Sequence, residues 1–503
     1  MINRRLRCQP IPAANYGESL TAPKRITISG GISRLQKEIK ERKVMKNREI
    51  YGKAMRLAVP MMIQNGITNM VGLIDNVMVG SLGTEAMTAV SIVGQLIFVF
   101  NLAIFGGMSG PGIFGAQFYG QGNTEGFKST FRIKLLIGIA CIMGGFAVFT
   151  LGGETLIGMY LHGESADIDS ALTMAHAKNY LSIMLLQIPF FVLTQIYATS
   201  LRETGDSLKP MISGIASVVI DIVFNYLLIY GKFGMPKLGV QGAAIATVLA
   251  RIVEMLVIVV WSHARKNKQE FLVGIYKTLR VPGYLAKKII KKTLPIFFNE
   301  FLWAGGLAAL TTCYSIRGLE IVAGLNISNA ICNMLNVVFV ALGNAVGILI
   351  GQTLGAGKYE KAKKDSFSLM WFTGAVCLIL TVILVSVSGI FPKFYDTTET
   401  VRRYGQLFII ITALFFPVQG FLNALYFTLR SGGKTVITFL FDSVYSWTVT
   451  IPTALLLCNF TSLPIFAIYA IVQSLDLIKI AVGFVLVRKG VWISNLAEET
   501  KNM

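Results

Sequence analysis

Acidic side chains inside long apolar runs are the first candidates for chemistry in this 503-residue chain. Asp75 lies deep in one run, and Asn65, Asn69 and Gly72 precede it at helical steps of three and four residues. A charge at the bilayer centre costs about 2.5–3.5 kcal/mol, so this polar stripe must face a cavity or another helix. The carboxylate indicates a site for H+ or Na+. The alternative is interhelical hydrogen bonding, at about 0.6 kcal/mol per bond.

Three acids in other runs are further candidates. Ser217, Asp221 and Asn225 are spaced at i, i+4 and i+8 on one helical face. Glu300 follows a proline-initiated helix start, where it serves either in ion coupling or as a helix-end anchor or gate. Asp442 has a weaker case. We predict Asp75, Asp221 and Glu300 as the ion-coupling residues.

Asparagines form a second pattern, which supplies amides without charge. Asn329, Asn333 and Asn336 share one helical face, which suits either a wet pathway or close helix packing. The predicted substrate-cavity residues are all polar side chains within apolar runs: Asn65, Asn69, Asn225, Asn329, Asn333, Asn336 and Asp442.

Other chemistry has no support in the sequence. The chain contains neither a GxxxxGK[ST] phosphate loop nor a GxGxxG motif after a strand. Its six cysteines are scattered, without CxxC or Cys/His clusters, so no metal site or disulfide framework is predicted. We therefore expect no enzyme and no cofactor, and an ion gradient of H+ or Na+ as the energy source.

The composition is that of a membrane protein. Hydrophobic residues make up 54% and charged residues only 14%, against about 25% charged in soluble domains. A net charge of +20 is compatible with nucleic-acid binding, but the basic residues lie between apolar runs, and we expect no nucleic-acid partner. Twelve apolar runs, most of them longer than about 20 residues, predict an all-α protein with twelve transmembrane helices. They lie near 53–80, 86–116, 131–160, 177–200, 210–231, 239–262, 287–315, 321–352, 366–391, 403–429, 435–458 and 463–487.

Basic residues alternate between the two sides of the membrane. The two tails and the even-numbered breaks hold 37 of the 46 Lys and Arg, and the odd-numbered breaks hold 7. The positive-inside rule therefore places both termini in the cytoplasm. We expect a multi-pass protein of a prokaryotic cell membrane, in contact with lipid and acting as a monomer.

The two halves of the chain repeat each other. At an offset of 235, Pro60 matches Pro295, and a shared pattern continues through Gln117 and Gln352. At an offset of 228, Leu201-Arg202 matches Leu429-Arg430. Because six helices are an even number, the copies enter the membrane from the same side, as parallel repeats around a central cavity. The predicted organisation is a basic disordered tail, an N-terminal six-helix bundle, a cytoplasmic linker, a C-terminal bundle and a tail. These span 1–50, 51–262, 263–286, 287–490 and 491–503.

Eight stretches resemble one transporter family, multidrug and toxic compound extrusion (MATE), across roughly residues 50–490. They are LAVPMMIQNGITNMVGLIDNVMVGSLG (57–83), FGAQFYGQGN (114–123), LRETGDSLKP (201–210), NYLLIYGKFGMPKLGVQGAAIAT (225–247), LPIFFNEFLWAGG (294–306), ILIGQTLGAGKYEKA (348–362), LRSGGKT (429–435) and FDSVYSW (441–447).

The resemblance implies a V-shaped pair of bundles that exports organic cations or hydrophobic drugs in exchange for inward H+ or Na+. It implies that Asp75, within DNVMVG, is the acid of the family's first-helix motif. Glu300 corresponds to a seventh-helix acid, and Asp221 to a fifth-helix one. An acid of the tenth helix in some relatives has no counterpart in 403–429, which leaves the coupling ion open.

Two alternatives remain at this point. A flippase for a lipid-linked precursor has the same superfamily shape, but it is expected to line its cavity with several Arg or Lys. The sequence places only Arg251 and Lys479 within helices, each near an acid. A receptor or scaffold needs neither the repeat nor the polar stripe around Asp75.

Overall fold

The structure, a computed structural model, describes residues 28–161, 169–264 and 269–499, with side chains from Arg48 onward except that of Leu73. It divides into Met1–Glu49 and Ile50–Met503, and everything below concerns the second unit. The disordered tail predicted for 1–50 lies outside the described residues up to position 27. From Ile28 the backbone is helical. The domain boundaries otherwise remain predictions.

Long helices account for nearly all of the described chain. Eleven are long and apolar enough to span a membrane, and a bent helix pair makes a twelfth span. In chain order they are α1 (Ile28–Gly80), α2 (Thr84–Gln121), α3 (Thr124–Tyr160), α4a (Ser170–Met184) with α4b (Gln187–Glu203), α5 (Leu208–Tyr230), α6 (Val240–Ala264), α7 (Gly283–Ser315), α8 (Leu319–Gly355), α9 (Tyr359–Val387), α10 (Glu399–Ser431), α11 (Thr435–Phe460) and α12 (Ile465–Lys489). The predicted all-α membrane fold is confirmed.

The fourth span is bent by 47° between α4a and α4b. Pro189 lacks an N–H, so the carbonyl of Leu185 has no partner four residues later. The amide of Ile188 donates to that carbonyl instead, at 3.1 Å. This tighter turn changes the direction of the helix between α4a and α4b.

Helix α11 is locally widened around its acidic residue. Its backbone makes π-helical turns at Leu440–Val444 and Ser446–Thr450, and Asp442 lies in the first. Such turns are rare and occur preferentially at functional sites.

In each repeat, α1–α6 and α7–α12, part of the first helix packs against the other repeat. The part of α1 from Ile50 to Met61 packs in one cluster with α8, which contains Ala54 and Ala58 together with Ala341 and Ala345. The first turns of α7 pack instead in the core of the N-terminal repeat, through Ile289 among others. Each repeat is therefore anchored on the other at the same end of the bundle.

That end, which we call the basic end, is where the chain turns after α2, α4b, α8 and α10. Here α2 and α8 touch backbone to backbone. A Cβ on Gly120 would lie 2.0 Å from the carbonyl oxygen of Gln352, and one on Gly355 would lie 1.9 Å from that of Gln117. Only glycine allows this approach. The cavity between the repeats is closed here.

Two hydrogen bonds between the repeats reinforce this crossing. The side-chain amide of Gln117 donates to the carbonyl of Ser431 at 2.8 Å, and that of Gln352 donates to the carbonyl of Glu203 at 2.8 Å. The donors match at the offset of 235 and the acceptors at 228. The contact is therefore symmetric, with each repeat supplying one donor and one acceptor.

The C-terminal segment packs over the same crossing. Trp492 is fully buried, and the amide of Leu496 donates to Oε1 of Gln117 at 2.7 Å. Glu499 forms an ion pair of 2.8 Å with Lys288. Burial acts to raise the pKa of Glu499, but hydrogen bonds from Lys288 and Ser494 outweigh it and lower that pKa.

Candidate functional site

Two acids meet between α1 and α5. Asp75 is half-buried and Asp221 is buried, and their carboxyl groups interact directly. The side-chain amide of Asn225 donates to Oδ1 of Asp75 at 2.8 Å. Oδ1 of Asp221 is buried and has no hydrogen-bond partner among the described residues. The structure thus brings together two of the predicted coupling residues, together with Asn225.

Among the described residues, Arg251 is the cation that interacts with this pair. Arg251 on α6 interacts electrostatically with Asp75 and Asp221, and its Nη1 lies 2.7 Å from Oε2 of Glu254. The guanidinium also lies 5.2 Å from the ring centre of Phe191. Arg251 therefore interacts with three carboxyl groups, those of Asp75, Asp221 and Glu254. Carboxylates held together in a poorly solvated site repel each other, and a bound H+ or Na+ relieves that repulsion.

A second polar cluster lies between α7 and α11. The side-chain amide of Asn299 donates to Oδ2 of Asp442 at 3.0 Å, and the hydroxyl of Ser443 donates to Oδ1 of Asn299 at 2.7 Å. The π-helical turn of α11 presents Asp442 and Ser443 to the same side chain. Sequence reasoning singled out Asp442 but missed Asn299 and Ser443, which no helical spacing within one run connects.

Glu300 is buried beside this cluster, where α7 crosses α2. Its Cγ lies 3.2 Å from the position a Cβ on Gly106 would take. Arg430 on α10 interacts with it electrostatically, as does Asp442. Glu300 is therefore separate from the Asp75–Asp221 pair and has its own cation.

The remaining predicted asparagines lie on exposed or half-buried helix faces. Asn65, Asn69, Asn329 and Asn333 are exposed. Asn336 is half-buried, and its amide donates to Oδ1 of Asn333 at 3.2 Å. Their role in a substrate cavity remains a prediction.

A cavity of about 300 Å³ lies between the repeats, on the side of the crossing away from the basic end. Its lining is mostly apolar. Its charged lining residues are Arg202, Glu203 and Arg430. The expectation that only Arg251 and Lys479 lie within helices is wrong, because α4b and α10 continue far enough to carry Arg202 and Arg430 into the cavity wall. The matching Leu-Arg pairs of the repeat were the sequence signal for them.

Glu203 is neutralised by a fully buried lysine. Lys134 on α3 donates to Oε1 of Glu203 at 2.6 Å, to Oγ of Ser200 at 3.0 Å and to Oγ1 of Thr199 at 3.2 Å. All three ammonium hydrogens therefore have partners.

Removing Lys134 should destabilise the protein strongly. In Lys134→Met the carboxylate of Glu203 loses its partner, and breaking a buried ion pair on one side costs about 3–5 kcal/mol. We expect a lower Tm for the purified variant. The double variant Lys134→Met/Glu203→Gln should recover a large part of the loss, and equal Tm values for the single variant and the wild type would contradict this role.

The repeat found in the sequence coincides with two matches to one family model. Residues 60–227 and 295–456 each match the model MatE, and the matches begin at Pro60 and Pro295, the first pair of the repeat. The chain belongs to the MATE family. The resemblance and the two-repeat MATE fold are thereby confirmed.

Relatives of this MATE chain carry multidrug-resistance names. It is 27% identical over 417 residues to the probable multidrug resistance protein YoeA of Bacillus subtilis (strain 168), covering 82% of this chain and 88% of that protein. It is 24% identical over 422 residues to the probable multidrug resistance protein NorM of Thermotoga maritima, covering 82% and 87%. The protein is therefore a probable multidrug transporter of this family, and not an enzyme.

Solved structures agree on the fold. A multidrug resistance MATE family transporter in its outward-facing conformation superposes with a TM-score of 0.76 at 17% identity, covering 87% of this chain and 95% of that one. A mutant of the Vibrio cholerae MATE transporter VcmN superposes with a TM-score of 0.78 at 16% identity, covering 89% of this chain and 98% of that one.

Proposed function

We propose that this MATE protein exports amphipathic drug-like molecules, organic cations among them, in exchange for inward H+ or Na+. The observation that carries the proposal is the interaction of Asp75 with Asp221 and Asn225 inside a bundle of apolar helices. A bound cation stabilises such a pair of carboxyl groups. A proton, a sodium ion and a positively charged drug therefore compete for the same site. Glu300, beside Arg430, is the proposed second coupling group.

Competition for a negative site links drug and ion. If the bound ion weakens drug binding by some factor, the drug weakens ion binding by the same factor. An ion driven inward releases up to about 2.3 kcal/mol per 100 mV, which drives the drug outward when each ligand favours a different facing state. The closed crossing at Gly120 and Gly355 supports two such states. It consists of contacts between the repeats, so it can open when the repeats move apart without disrupting either of them.

The charge pattern supports an orientation. We propose that the basic end faces the cytoplasm, with both termini on that side of a prokaryotic cell membrane, and that the protein acts as a monomer. Because α2 and α8 are in contact at Gly120 and Gly355, this structure then corresponds to a state closed to the cytoplasm.

Transport by reconstituted vesicles tests the proposed exchange. The purified protein is reconstituted, H+ and Na+ gradients are imposed separately, and a panel of cationic dyes is followed by fluorescence. We expect the dye to move in the direction opposite to the flow of one of the two ions, and not to move in protein-free vesicles. Dye movement at the same rate with and without either gradient would contradict the exchange.

The flippase alternative gains one observation. Arg202 and Arg430 line the central cavity, so a shortage of cavity arginines no longer argues against a phosphate-bearing lipid.

A further inference from the structure

We propose that a lysine cluster at the basic end binds the phosphate group of an anionic membrane lipid. The lysine cluster consists of Lys288, Lys291 and Lys292 on α7 and Lys434 in the turn between α10 and α11. These residues are not part of the cavity wall that the structure describes between the repeats. The proposal therefore concerns a second site, and it does not depend on what the protein exports.

The C-terminal segment brings α7 and the turn after α10 together. Nζ of Lys288 lies 2.8 Å from Oε2 of Glu499. Three residues earlier in the same segment, Cδ1 of Leu496 lies 2.7 Å from the position that a Cβ on Gly433 would take. Lys434 follows this glycine directly, so its side chain belongs to the same region as the lysines of α7.

The positive charges of the lysine cluster repel each other. Lys292 is half-buried, and the ammonium groups of the other three lysines act on it unfavourably. Among the described residues, Glu499 is the acid that offsets this repulsion, and its Oε2 is already bonded to Lys288. The side chains of Lys291, Lys292 and Lys434 form no hydrogen bond or ion pair within the described part of the chain. An additional anion beside them would therefore be stabilised.

The fold does not require this excess of positive charge. At the offset of 235, Lys292 matches Leu57, which is buried and apolar. At the offset of 228, Lys434 matches Asp206, which forms an ion pair with Lys209. The N-terminal repeat thus has a neutral and a negatively charged residue at the places where the C-terminal repeat has two lysines. The lysine cluster is therefore a feature of one repeat, beyond the general excess of Lys and Arg at this end.

The side chains that follow the cluster on α7 fit a lipid rather than a soluble anion. Lys287, Lys291, Leu294 and Phe298 are exposed, and their spacing of four, three and four residues places them on one face of the helix. This face is basic where α7 begins and apolar further along. A phospholipid has the same order, with a phosphate followed by acyl chains. Lysine binds phosphate as a point charge, and basic groups at the cytoplasmic end of membrane helices bind anionic head groups.

Lipid titration followed by native mass spectrometry tests the proposal. The full-length protein is titrated with phosphatidylglycerol, which carries a net negative charge, and separately with phosphatidylcholine, which does not. We expect the first phosphatidylglycerol to bind the wild type about tenfold more tightly than phosphatidylcholine. In Lys292→Gln/Lys434→Gln this preference should disappear, because each lysine near a membrane surface contributes roughly fivefold to binding.

The repeat supplies a matched control. Lys53 and Arg56 on α1 are exposed, and they match Lys288 and Lys291 at the offset of 235. Lys53→Gln/Arg56→Gln removes the same number of charges at the same end, and it should leave the Kd of phosphatidylglycerol unchanged. Equal losses in the two double variants would show a general attraction of the basic end and would overturn the site. A wild type without preference for phosphatidylglycerol would also overturn it, whether or not the variants fold.

Two further measurements identify the ligand and the lysines that bind it. In Glu499→Gln the carboxylate no longer competes with the phosphate for Lys288 and Lys292, so phosphatidylglycerol should bind more tightly. An unchanged Kd in this variant would exclude these two lysines from the site. Inorganic phosphate is titrated in the same way. If it binds the wild type as tightly as phosphatidylglycerol does, and not Lys292→Gln/Lys434→Gln, the lysine cluster takes a soluble anion and the assignment to a lipid is wrong.

Discussion

Replacing Asp75 with asparagine should reduce ion-driven efflux to less than a tenth of the wild-type rate. The amide keeps the shape of the side chain and a partner for Asn225, but it removes one of the two interacting charges, and with it the competition between ion and drug. The measurement is dye efflux from vesicles under an imposed H+ or Na+ gradient. Asp221→Asn should act in the same direction, because the two carboxyls form one site.

The chain offers a matched control for this substitution. Asp169 is exposed at the start of α4a, where its Oδ1 accepts hydrogen bonds from the amides of Ala171 and Leu172. Asparagine caps helices as well as aspartate does. Asp169→Asn should therefore transport like the wild type. Gradient-coupled dye movement retained in Asp75→Asn would remove this acid from the coupling role.

The sequence identified single helices and their polar faces well. Apolar length alone predicts the spans, and Pro189 explains why the fourth span is bent. The proximity of Asp75 and Asn225 also follows from the sequence, because each lies on a polar stripe that must face another helix or a cavity rather than lipid. These features depend on local periodicity and on the cost of polar groups in lipid.

Contacts between distant helices were beyond such reasoning. Asn299 contacts Asp442 at a place where α11 is widened by π-helical turns. No residue type in the sequence predicts such a turn. Counting charges places Arg202 and Arg430 in the breaks between apolar runs, because it does not show how far a helix continues. The repeat was the better guide, since equivalent positions in two copies of one fold occupy equivalent places about a common axis.

A methyl group at either crossing glycine should reduce efflux more than tenfold. In Gly120→Ala or Gly355→Ala, the new Cβ would lie about 2 Å from a carbonyl oxygen of the opposite repeat, so α2 and α8 must separate. The hydrogen bonds from Gln117 and Gln352 then lengthen, and the state closed at the basic end loses stability relative to the other. Vesicle efflux gives the rate.

Gly144→Ala is the matched control for the crossing, because nothing lies within 4 Å of a Cβ there and the residue is exposed on α3. In this helix interior alanine should stabilise by about 0.5–1 kcal/mol and leave efflux unchanged. Because the crossing is symmetric, Gly120→Ala and Gly355→Ala should be impaired to a similar degree. Wild-type efflux in either would show that close contact at the basic end is not needed for transport, whereas a loss in only one would show that the two halves of the crossing act independently.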